Sequence, residues 1–502
     1  MQTPIVIVLN DNGMSISPNV GALSRYFNRI RLNPRLWHAR EGVEDRLTKL
    51  PLGLGERIER LGPEIKAAMK AYWAPGLFFE ELDLAYMGVI DGHDVHALRE
   101  ALTEAFDADR PVVVHIHTVK GKGFTPAEEG GLESMEEWHA AKPKSIVNGR
   151  PAAASEPKPV PVTETDSPEG IELLEKPPEP SAPPQYTKVF ANAMVAEAEA
   201  DERVIGITAA MAGGTGLQKL ADEVPGQYYD VGIAEQNAVL MACGLALQGA
   251  KPVCAIYSTF LQRAFDQIVH DVCLQDLDVT FAMDRAGLVG DDGPTHHGAF
   301  DVSYFRPIPN VVVMAPRDEA MLVHMLHTAI AHDGPAALRY PRGAAEGAEL
   351  PATPELIPIG TGEVLAEGER VALLGYGYGV TVAKEAATIL AKHGIKATVA
   401  DARFAKPVDA ELTERLAREH DLLVTIEENV LPGGFGSAVL EHLEDAFADS
   451  PGERARVLRV GLPDSYVTHG KPALLRAEVG LTGESVADRV LSSLPSAQPA
   501  LT

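Results

Sequence analysis

The chain has 502 residues, of which 71 are acidic and 44 are basic, and its formal net charge is −27. This length is too great for one hydrophobic core and predicts about three domains of ~150 residues each. The negative charge argues against nucleic acid and anionic membrane surfaces as main partners, because both attract basic patches.

The cysteines and the apolar runs indicate the compartment. Cys243, Cys254 and Cys273 show no spacing typical of a metal or redox site, so we expect them to be small buried residues in a reducing compartment. No apolar run approaches the ~18 residues of a membrane helix. The first residues, MQTPIVIVLND, lack the basic start and the long apolar run of a signal peptide. A soluble, cytoplasmic protein is predicted.

The stretch VLNDNGMSIS, residues 8–17, is predicted to be the end of a buried strand that runs into a polar loop. Asn10, Asp11 and Asn12 offer oxygen ligands at this point, as a magnesium and diphosphate site requires. A second glycine-containing loop, TVKGKGF, follows the apolar run PVVVHIH. It lacks the spacing of a phosphate-binding Walker loop, and both a cofactor-edge turn with Phe124 and an ordinary glycine turn remain open.

Two other motifs are predicted to be structural. IDGHDVH resembles a metal cluster, but Asp94 is better placed as a helix cap. LLGYGYGV resembles a dinucleotide-binding loop, but the third glycine of that fingerprint would fall at Val380. We interpret it as a tight strand-to-helix turn.

A proline-rich segment divides the chain. Residues 142–184 contain eleven of the 37 prolines and few large apolar side chains, so they are predicted to form an extended or disordered linker. The domains are expected at 1–141, 185–345 and 346–495.

On both sides of the linker, short apolar runs alternate with stretches of helical spacing. The runs are PIVIVL, PVVVHIHTV, RVIGIT, PVCAIYSTF, DVTFAMD, NVVVMAP, RVALLGYG, KATVADAR and DLLVTIEE. The helical stretches include AEQNAVLMACGLALQ, DEAMLVHMLHTAIAH and TVAKEAATILAKHG. This alternation predicts doubly wound α/β domains with mainly parallel sheets covered on both faces. Sites are expected at the carboxyl ends of the strands.

The central domain carries most of the candidate functional residues. In DVGIAEQNA, Glu235 stands at a strand-to-helix junction among apolar neighbours. Partial desolvation there would suit proton transfer, whereas a glutamate that interacts with the helix dipole is the alternative. In YSTFLQRAFDQ, Tyr257, Phe260 and Arg263 offer a hydroxyl, an aromatic face and a cation. The alternative is that the aromatic residues belong to the core and the arginine to the surface.

The stretch MDRAGLVGDDGPTHHGAFD is the least core-like part of the chain. Its polar residues are Arg285, Asp291, Asp292, His296 and His297, among four glycines and a proline. Glycine lets a backbone approach a ligand closely, and the side chains supply a cation and acid–base groups. A metal site is the rival interpretation, but adjacent histidines do not share one helix face.

The motif LRYPRG places Arg339 and Arg342 at the end of a predicted strand. Together with Arg263 and Arg285 they could form a clamp for a phosphate or carboxylate. Taken singly, each arginine is more often solvated or ion-paired.

The order of the motifs is similar to that in the 1-deoxy-D-xylulose 5-phosphate synthase family of thiamine-diphosphate transferases, which is related to transketolase. The resemblance rests on NDNGMSISPNVGA, IDGHDV, KGKGFTPAE, YDVGIAEQNAV, YSTFLQRAFDQIVHDV, DRAGLVGDDGPTHHGAFD, YPRG and GGFGSAVLE. It implies a transketolase-like fold, a homodimer, and thiamine diphosphate bound with Mg²⁺ between the first and central domains.

The resemblance also implies roles for individual residues around the cofactor. The Asn12 side chain and the Met14 carbonyl oxygen would bind Mg²⁺. Phe124 would line the cofactor, Phe260 would stack on its pyrimidine ring, and Glu235 would bond to a pyrimidine nitrogen.

The implied substrates are pyruvate and D-glyceraldehyde 3-phosphate. The implied products are CO₂ and 1-deoxy-D-xylulose 5-phosphate, a precursor of isoprenoids by the non-mevalonate route, of thiamine and of pyridoxal. His296 and Asp292 match the residues near the reacting carbonyl and hydroxyls. The residues that match the acceptor-binding positions are Tyr257, Arg263, Arg285 and Arg342.

The family's Gly-Asp-Gly segment, which supplies another magnesium ligand, falls before residue 1 of this sequence. We therefore expect the chain as given to lack part of its first domain and to bind the cofactor poorly by itself. Alternatives are a transketolase, the β subunit of a 2-oxo-acid dehydrogenase, and a non-catalytic remnant that acts only by pairing with another chain.

Overall fold

The computed structural model describes residues 4–12, 79, 83–125, 146–147, 150–151 and 183–494. All nine apolar runs predicted as strands form strands. The strands are β1 Val6–Asp11, β2 Ala85–Asp91, β3 Val112–His117, β4 Ile146–Val147, β5 Arg150–Pro151, β6 Val204–Thr208, β7 Tyr228–Asp230, β8 Lys251–Tyr257, β9 Thr280–Ala286, β10 Val312–Met314, β11 Ala336–Pro341, β12 Glu363–Ala366, β13 Val371–Gly375, β14 Thr398–Asp401, β15 Phe404–Lys406, β16 Leu422–Val430 and β17 Arg456–Leu462.

The three quoted helical stretches also form helices. The α-helices are α1 Val95–Phe106, α2 Tyr186–Ala200, α3 Ala212–Thr215, α4 Leu217–Glu223, α5 Glu235–Ala246, α6 Ser258–Leu261, α7 Phe265–Gln267, α8 Asp301–Phe305, α9 Glu319–Ala331, α10 Gly379–Lys392, α11 Ala410–Glu419, α12 Phe435–Ala446, α13 Pro472–Glu478 and α14 Gly483–Ser493. A π-helical turn, Ile268–Cys273, follows α7.

The chain divides into two compact units, residues 1–173 and 174–502. In the first unit, β3 lies between β1 and β2 in a three-stranded parallel sheet. The prediction that β1 is a buried strand is wrong, because Ile7, Val8 and Leu9 are exposed at this edge of the sheet. Val112, Val113 and Val114 are buried in β3, as expected for a strand covered on both faces. Asp94 caps α1 by accepting hydrogen bonds from the backbone of His96 and Ala97, which confirms its predicted role as a cap.

The second unit contains a seven-stranded sheet in the order β15-β10-β11-β9-β8-β6-β7. Its strands pair in parallel except at one edge, where β15 runs antiparallel to β10. The predicted α/β fold with mainly parallel sheets is confirmed. Because parallel strands present their carboxyl ends at one edge, the loops after β7, β8, β9 and β11 converge there.

A five-stranded sheet follows in the order β12-β14-β13-β16-β17, with only the edge strand β12 antiparallel to its neighbour. The turn between β13 and α10 contains Gly377 at φ +57°, so LLGYGYGV is the tight strand-to-helix turn that was predicted. One hydrophobic cluster contains Phe281 of β9 in the seven-stranded sheet and Phe435 of α12, which packs on β16 of the five-stranded sheet. The two sheets of this unit therefore share buried contacts.

The predicted division into three domains and a linker stays a prediction. Strand β15 belongs by sequence to the predicted third domain, yet it pairs with the sheet of the second. Within the predicted linker, β4 and β5 form a short antiparallel pair; its remaining positions up to residue 182 lie outside the described residues.

Candidate active site

Glu235 begins α5 after the loop that follows β7, at the strand-to-helix junction predicted from sequence. Its side chain is 3% exposed, and Arg263, which is 48% exposed, donates a hydrogen bond to it over 2.6 Å. A charge-assisted pair of this length holds both groups in one orientation. The sequence identified both residues but not their contact.

Three aromatic rings, two of them close to Arg263 in sequence, contact one another in a cluster that we call the aromatic stack. The rings of Tyr257 and Phe260 are 5.7 Å apart and almost parallel, and the His296 ring meets the Phe260 ring edge-on at 5.1 Å. A Cβ atom at Gly214 would lie 1.9 Å from the Tyr257 hydroxyl. Glycine at this position therefore lets the phenol reach its place.

Arg285 lies over the Tyr257 ring, with its guanidinium carbon 4.2 Å from the ring centre. Its guanidinium is also 2.8 Å from Asp284 and donates a hydrogen bond to the carbonyl of Gly214 over 2.6 Å. Burial raises the pKa of Tyr257 above its ordinary value, although the nearby Arg285 lowers it. The phenol is consequently protonated at neutral pH and can donate a hydrogen bond.

The loop of residues 287–298, called the glycine loop below, leaves β9 and returns to it. Gly287 and Gly298 close its base with backbone hydrogen bonds of 2.8 and 2.9 Å. Asp292 lies near its exposed tip and accepts a hydrogen bond from Arg342 over 2.5 Å. The loop thus brings Asp292 to Arg342 after β11, and His296 to the aromatic stack.

Of the four arginines suggested as a clamp for a phosphate or carboxylate, Arg339 does not belong to it. Arg339 is 4% exposed and bound to the carboxylate of Asp301 at 3.0 Å. It also donates hydrogen bonds to the carbonyl oxygens of Gly298 and Glu428. Because these partners occupy it inside the protein, Arg339 braces the base of the glycine loop and is not available to a substrate.

In the first unit, two predicted cofactor residues lie after the carboxyl ends of neighbouring strands. Asn12 follows β1, and Phe124 closes the turn after β3 by donating a backbone hydrogen bond to Gly121. The Thr118 side chain, directly after β3, donates a hydrogen bond to Asn10 of β1 over 2.6 Å, so the carboxyl ends of the two strands are linked. Met14, the other predicted magnesium ligand, lies outside the described residues.

The residues present fit the groups that the resemblance implies. Asn12 supplies the hard oxygen that Mg²⁺ prefers, Glu235 is a carboxylate at a helix start, and Phe260 and Tyr257 present aromatic faces. Within the described ranges, no group of three or more His, Cys, Asp or Glu side chains is arranged to hold a metal ion. Cys243, Cys254 and Cys273 are buried free thiols, as predicted.

Sequence reasoning gave no separate role to His297, which the structure buries at the base of the glycine loop. Its neighbour His296 is partly exposed. An adjacent pair of histidines carries no periodic signal that would tell which one turns inward.

Three family models match the chain in succession. Residues 1–118 match "1-deoxy-D-xylulose-5-phosphate synthase", residues 182–347 match "transketolase, pyrimidine binding domain", and residues 360–486 match "transketolase, C-terminal domain". The fold and these matches define the class: a transketolase-type transferase.

Two curated relatives narrow the class to one family. The 1-deoxy-D-xylulose-5-phosphate synthase of Acaryochloris marina is 47% identical over 499 residues, which cover 98% of this chain and 73% of the relative. The one from Pelotomaculum thermopropionicum is 48% identical over 488 residues, covering 97% and 71%. The chain belongs to the 1-deoxy-D-xylulose-5-phosphate synthase family.

Solved structures agree on the fold. One described as "split gene transketolase, inactive beta4 tetramer" is 30% identical with a TM-score of 0.55, and covers 62% of this chain and 98% of its own. The transketolase of Campylobacter jejuni, 16% identical with a TM-score of 0.50, covers 97% and 72% and supports the fold alone.

Proposed function

We propose that this chain catalyses the decarboxylative condensation of pyruvate with D-glyceraldehyde 3-phosphate to 1-deoxy-D-xylulose 5-phosphate and CO₂. Its place would be the entry to non-mevalonate isoprenoid, thiamine and pyridoxal synthesis. The observation that carries the proposal is the convergence of Glu235, the aromatic stack and the glycine loop at one sheet edge of a chain that belongs to this family.

Thiamine diphosphate, when bound, supplies the carbon nucleophile for this reaction. Glu235 would hold a pyrimidine nitrogen of the cofactor and exchange a proton there, with Arg263 fixing the carboxylate. Phe260 would stack on the pyrimidine, and Phe124 would line the cofactor. Asn12 and the Met14 carbonyl would bind Mg²⁺, whose preference is for such oxygens.

The glycine loop and the arginines would act on the acceptor. Arg285 and Arg342, with Arg263, would bind its phosphate by charge-assisted hydrogen bonds. Tyr257 would donate a hydrogen bond from its protonated phenol. Asp292 and His296 would hold the aldehyde and hydroxyls and move protons at the reacting carbonyl oxygen.

The test is a product analysis with [1-¹³C]pyruvate, D-glyceraldehyde 3-phosphate, thiamine diphosphate and Mg²⁺, followed by NMR. We expect labelled CO₂ and unlabelled 1-deoxy-D-xylulose 5-phosphate. Two-carbon transfer from a ketose phosphate would instead indicate a transketolase, and acylation of a lipoyl domain would indicate a 2-oxo-acid dehydrogenase subunit. No turnover of any of these would favour the non-catalytic remnant.

We further propose a homodimer, supported by an apolar surface that we call the leucine face. It consists of the exposed Leu240 of α5 and Leu247 directly after that helix. Phe265 and Leu274, in the helical segment packed against α5, are also exposed. Leu240 and Leu247 are seven residues apart and share one side of the helix. Exposed apolar patches of this kind mark protein contacts.

A cytoplasmic location is also part of the proposal. Its support is the burial of three unpaired thiols, which suits a reducing compartment. No helix among the described residues is long and apolar enough to span a membrane.

A further inference from the structure

His297 is the most completely bonded histidine beside the candidate site. Its side chain is buried, the backbone N–H of Val289 donates to its Nδ1 over 3.0 Å, and its Nε2 lies 3.1 Å from the carbonyl oxygen of Thr468. Only the neutral tautomer with hydrogen on Nε2 satisfies both contacts. Because protein partners occupy both nitrogens, His297 has no ring nitrogen left to contact a substrate.

The segment that receives this hydrogen bond, residues 468–472, follows the glycine loop for several residues. Gly470 donates a backbone hydrogen bond to the carbonyl of Gly290 over 3.3 Å. A Cβ atom at Gly293 would lie 3.1 Å from the Cβ of His469, and one at Gly290 would lie 3.0 Å from Pro472. The loop therefore packs directly against the segment at Gly290 and Gly293.

Apolar packing supports the same junction. Leu288 and Ala299, just inside and just after the loop, share a small buried cluster with Leu462 and Leu475. Glu428 adds a polar contact, because it binds Arg476 at 2.7 Å and fills the space beside Gly287. A Cβ atom at Gly287 would lie 2.3 Å from the Glu428 carboxylate.

We propose that His297 is a positioning residue that ties the glycine loop, and with it Asp292 and His296, to residues 468–472. His297 touches no substrate in this role. Its ring accepts a hydrogen bond from Val289 in the loop and donates one to Thr468 in the segment. His296 is its direct neighbour in sequence. The role in catalysis rests on the proposed function; the tie itself does not.

The two hydrogen bonds can be separated by substitution. His297→Asn keeps an acceptor at the δ position for Val289 and loses Thr468. His297→Gln keeps a donor at the ε position for Thr468 and loses Val289. His297→Phe keeps the ring and loses both. Thr468→Ala is a silent control, since the contact uses the backbone carbonyl.

A matched control for general destabilisation is His420→Phe. His420 is also buried, and its ring nitrogens are bonded to the Thr398 hydroxyl at 2.7 Å and the Leu416 carbonyl at 3.0 Å. Neither partner lies in the glycine loop or in residues 468–472. Both histidine-to-phenylalanine changes remove two hydrogen bonds of a buried ring.

The first readout is hydrogen–deuterium exchange of peptides that cover residues 287–298. We expect His297→Phe to speed exchange there at least tenfold, the Asn and Gln variants to lie between it and the parent, and Thr468→Ala and His420→Phe to match the parent. Equal exchange in His297→Phe and the parent, or an equal rise in His420→Phe, would overturn the tie.

The second readout is turnover of pyruvate with D-glyceraldehyde 3-phosphate, together with calorimetric affinity for thiamine diphosphate. We expect His297→Phe to lower kcat/KM for the aldehyde about 10- to 100-fold, as small misplacements of reacting groups do, with cofactor affinity unchanged. An active parent with a His297→Phe variant within twofold of it would overturn the positioning role. An inactive parent would count against the proposed function, and loop exchange would then decide the tie by itself.

Discussion

Glu235 combines burial with a single strong partner among the described residues, since its carboxylate meets Arg263 at 2.6 Å. The pair explains how a carboxylate can be kept at the start of α5 without water around it. It also gives Arg263 a contact in addition to the phosphate-binding role that the family resemblance implies. Both roles can be separated by changing one residue at a time.

Glu235→Gln tests the proton-exchange role. We expect kcat to fall about 10²- to 10⁴-fold, the usual contribution of a general acid or base, with little change in melting temperature. The matched control is Glu319→Gln, because Glu319 is also a buried glutamate in the first turn of a helix but bonds only to the backbone of Glu346 and Gly347 in the described chain. Loss of activity in the control, or retention in Glu235→Gln, would contradict the assignment.

Glu427 has no role in the proposed chemistry and gives a pH dependence of stability. Burial raises its pKa to about 7, although the backbone N–H groups of Gly436 and Phe435 at the start of α12 act in the opposite direction. Because the folded-state pKa is above the unfolded one, the stabilisation is complete below about pH 4.5 and is lost as pH rises to about 7.

The measurement is the free energy of unfolding in urea from pH 4.5 to 8 for the parent and Glu427→Gln. We expect the parent to lose up to about 3 kcal/mol relative to the variant across this window, at 1.36 kcal/mol for each unit of pKa shift. Parallel pH profiles for the two proteins would show that Glu427 does not titrate there.

At the scale of elements, Asp409 caps α11 and also bonds to the backbone directly before β12, the edge strand of the five-stranded sheet. One carboxylate oxygen accepts from the Leu412 backbone at the N-terminus of α11, and the other accepts from the Gly362 backbone over 2.7 Å. Asp409→Ala should lower the free energy of unfolding by about 1–2 kcal/mol, the cost of a lost cap. Asp409→Asn keeps one oxygen and should lose less; equal losses in urea unfolding would argue against a capping role.

Elements with a local signal were predictable. The runs that became β8, β9 and β13 are mostly apolar and buried, and the Asp94 cap needs only its own next turn. The short strands β7 and β15 have three residues each, which is too few for a period to be recognised.

Partner choice across the site was not predictable. Glu235 and Arg263 are 28 residues apart, and Arg339 and Asp301 are 38 apart. No local sequence pattern indicates that the Arg339 side chain is buried whereas that of Arg342 is partly exposed. The fold determines the difference, because it places the Asp301 carboxylate next to Arg339 near the end of β11, where the buried guanidinium needs a partner.

At the scale of the whole molecule, the leucine face tests the proposed dimer. We expect the parent to be a dimer by light scattering, and the double variant Leu240→Lys, Leu247→Lys to be a monomer, because lysines cannot be buried there without partners. Both leucines are exposed, at 47% and 56%, so folding should be unaffected. Leu356→Lys, at a leucine 60% exposed elsewhere, is the control; a parent monomer or an unchanged mass would exclude this interface.

The antiparallel pairing of β15 with β10 has a consequence for building hybrid proteins from relatives. A crossover between residues 346 and 360 would take β10 from one parent and β15 from the other. Val313 of one parent would then pair with the residue that replaces Lys406 in the other. Mismatched side chains across this pair would weaken it, and an edge strand that detaches leaves backbone groups unpaired and invites aggregation. Gene shuffling in this family should therefore exchange residues 183–494 as one cassette.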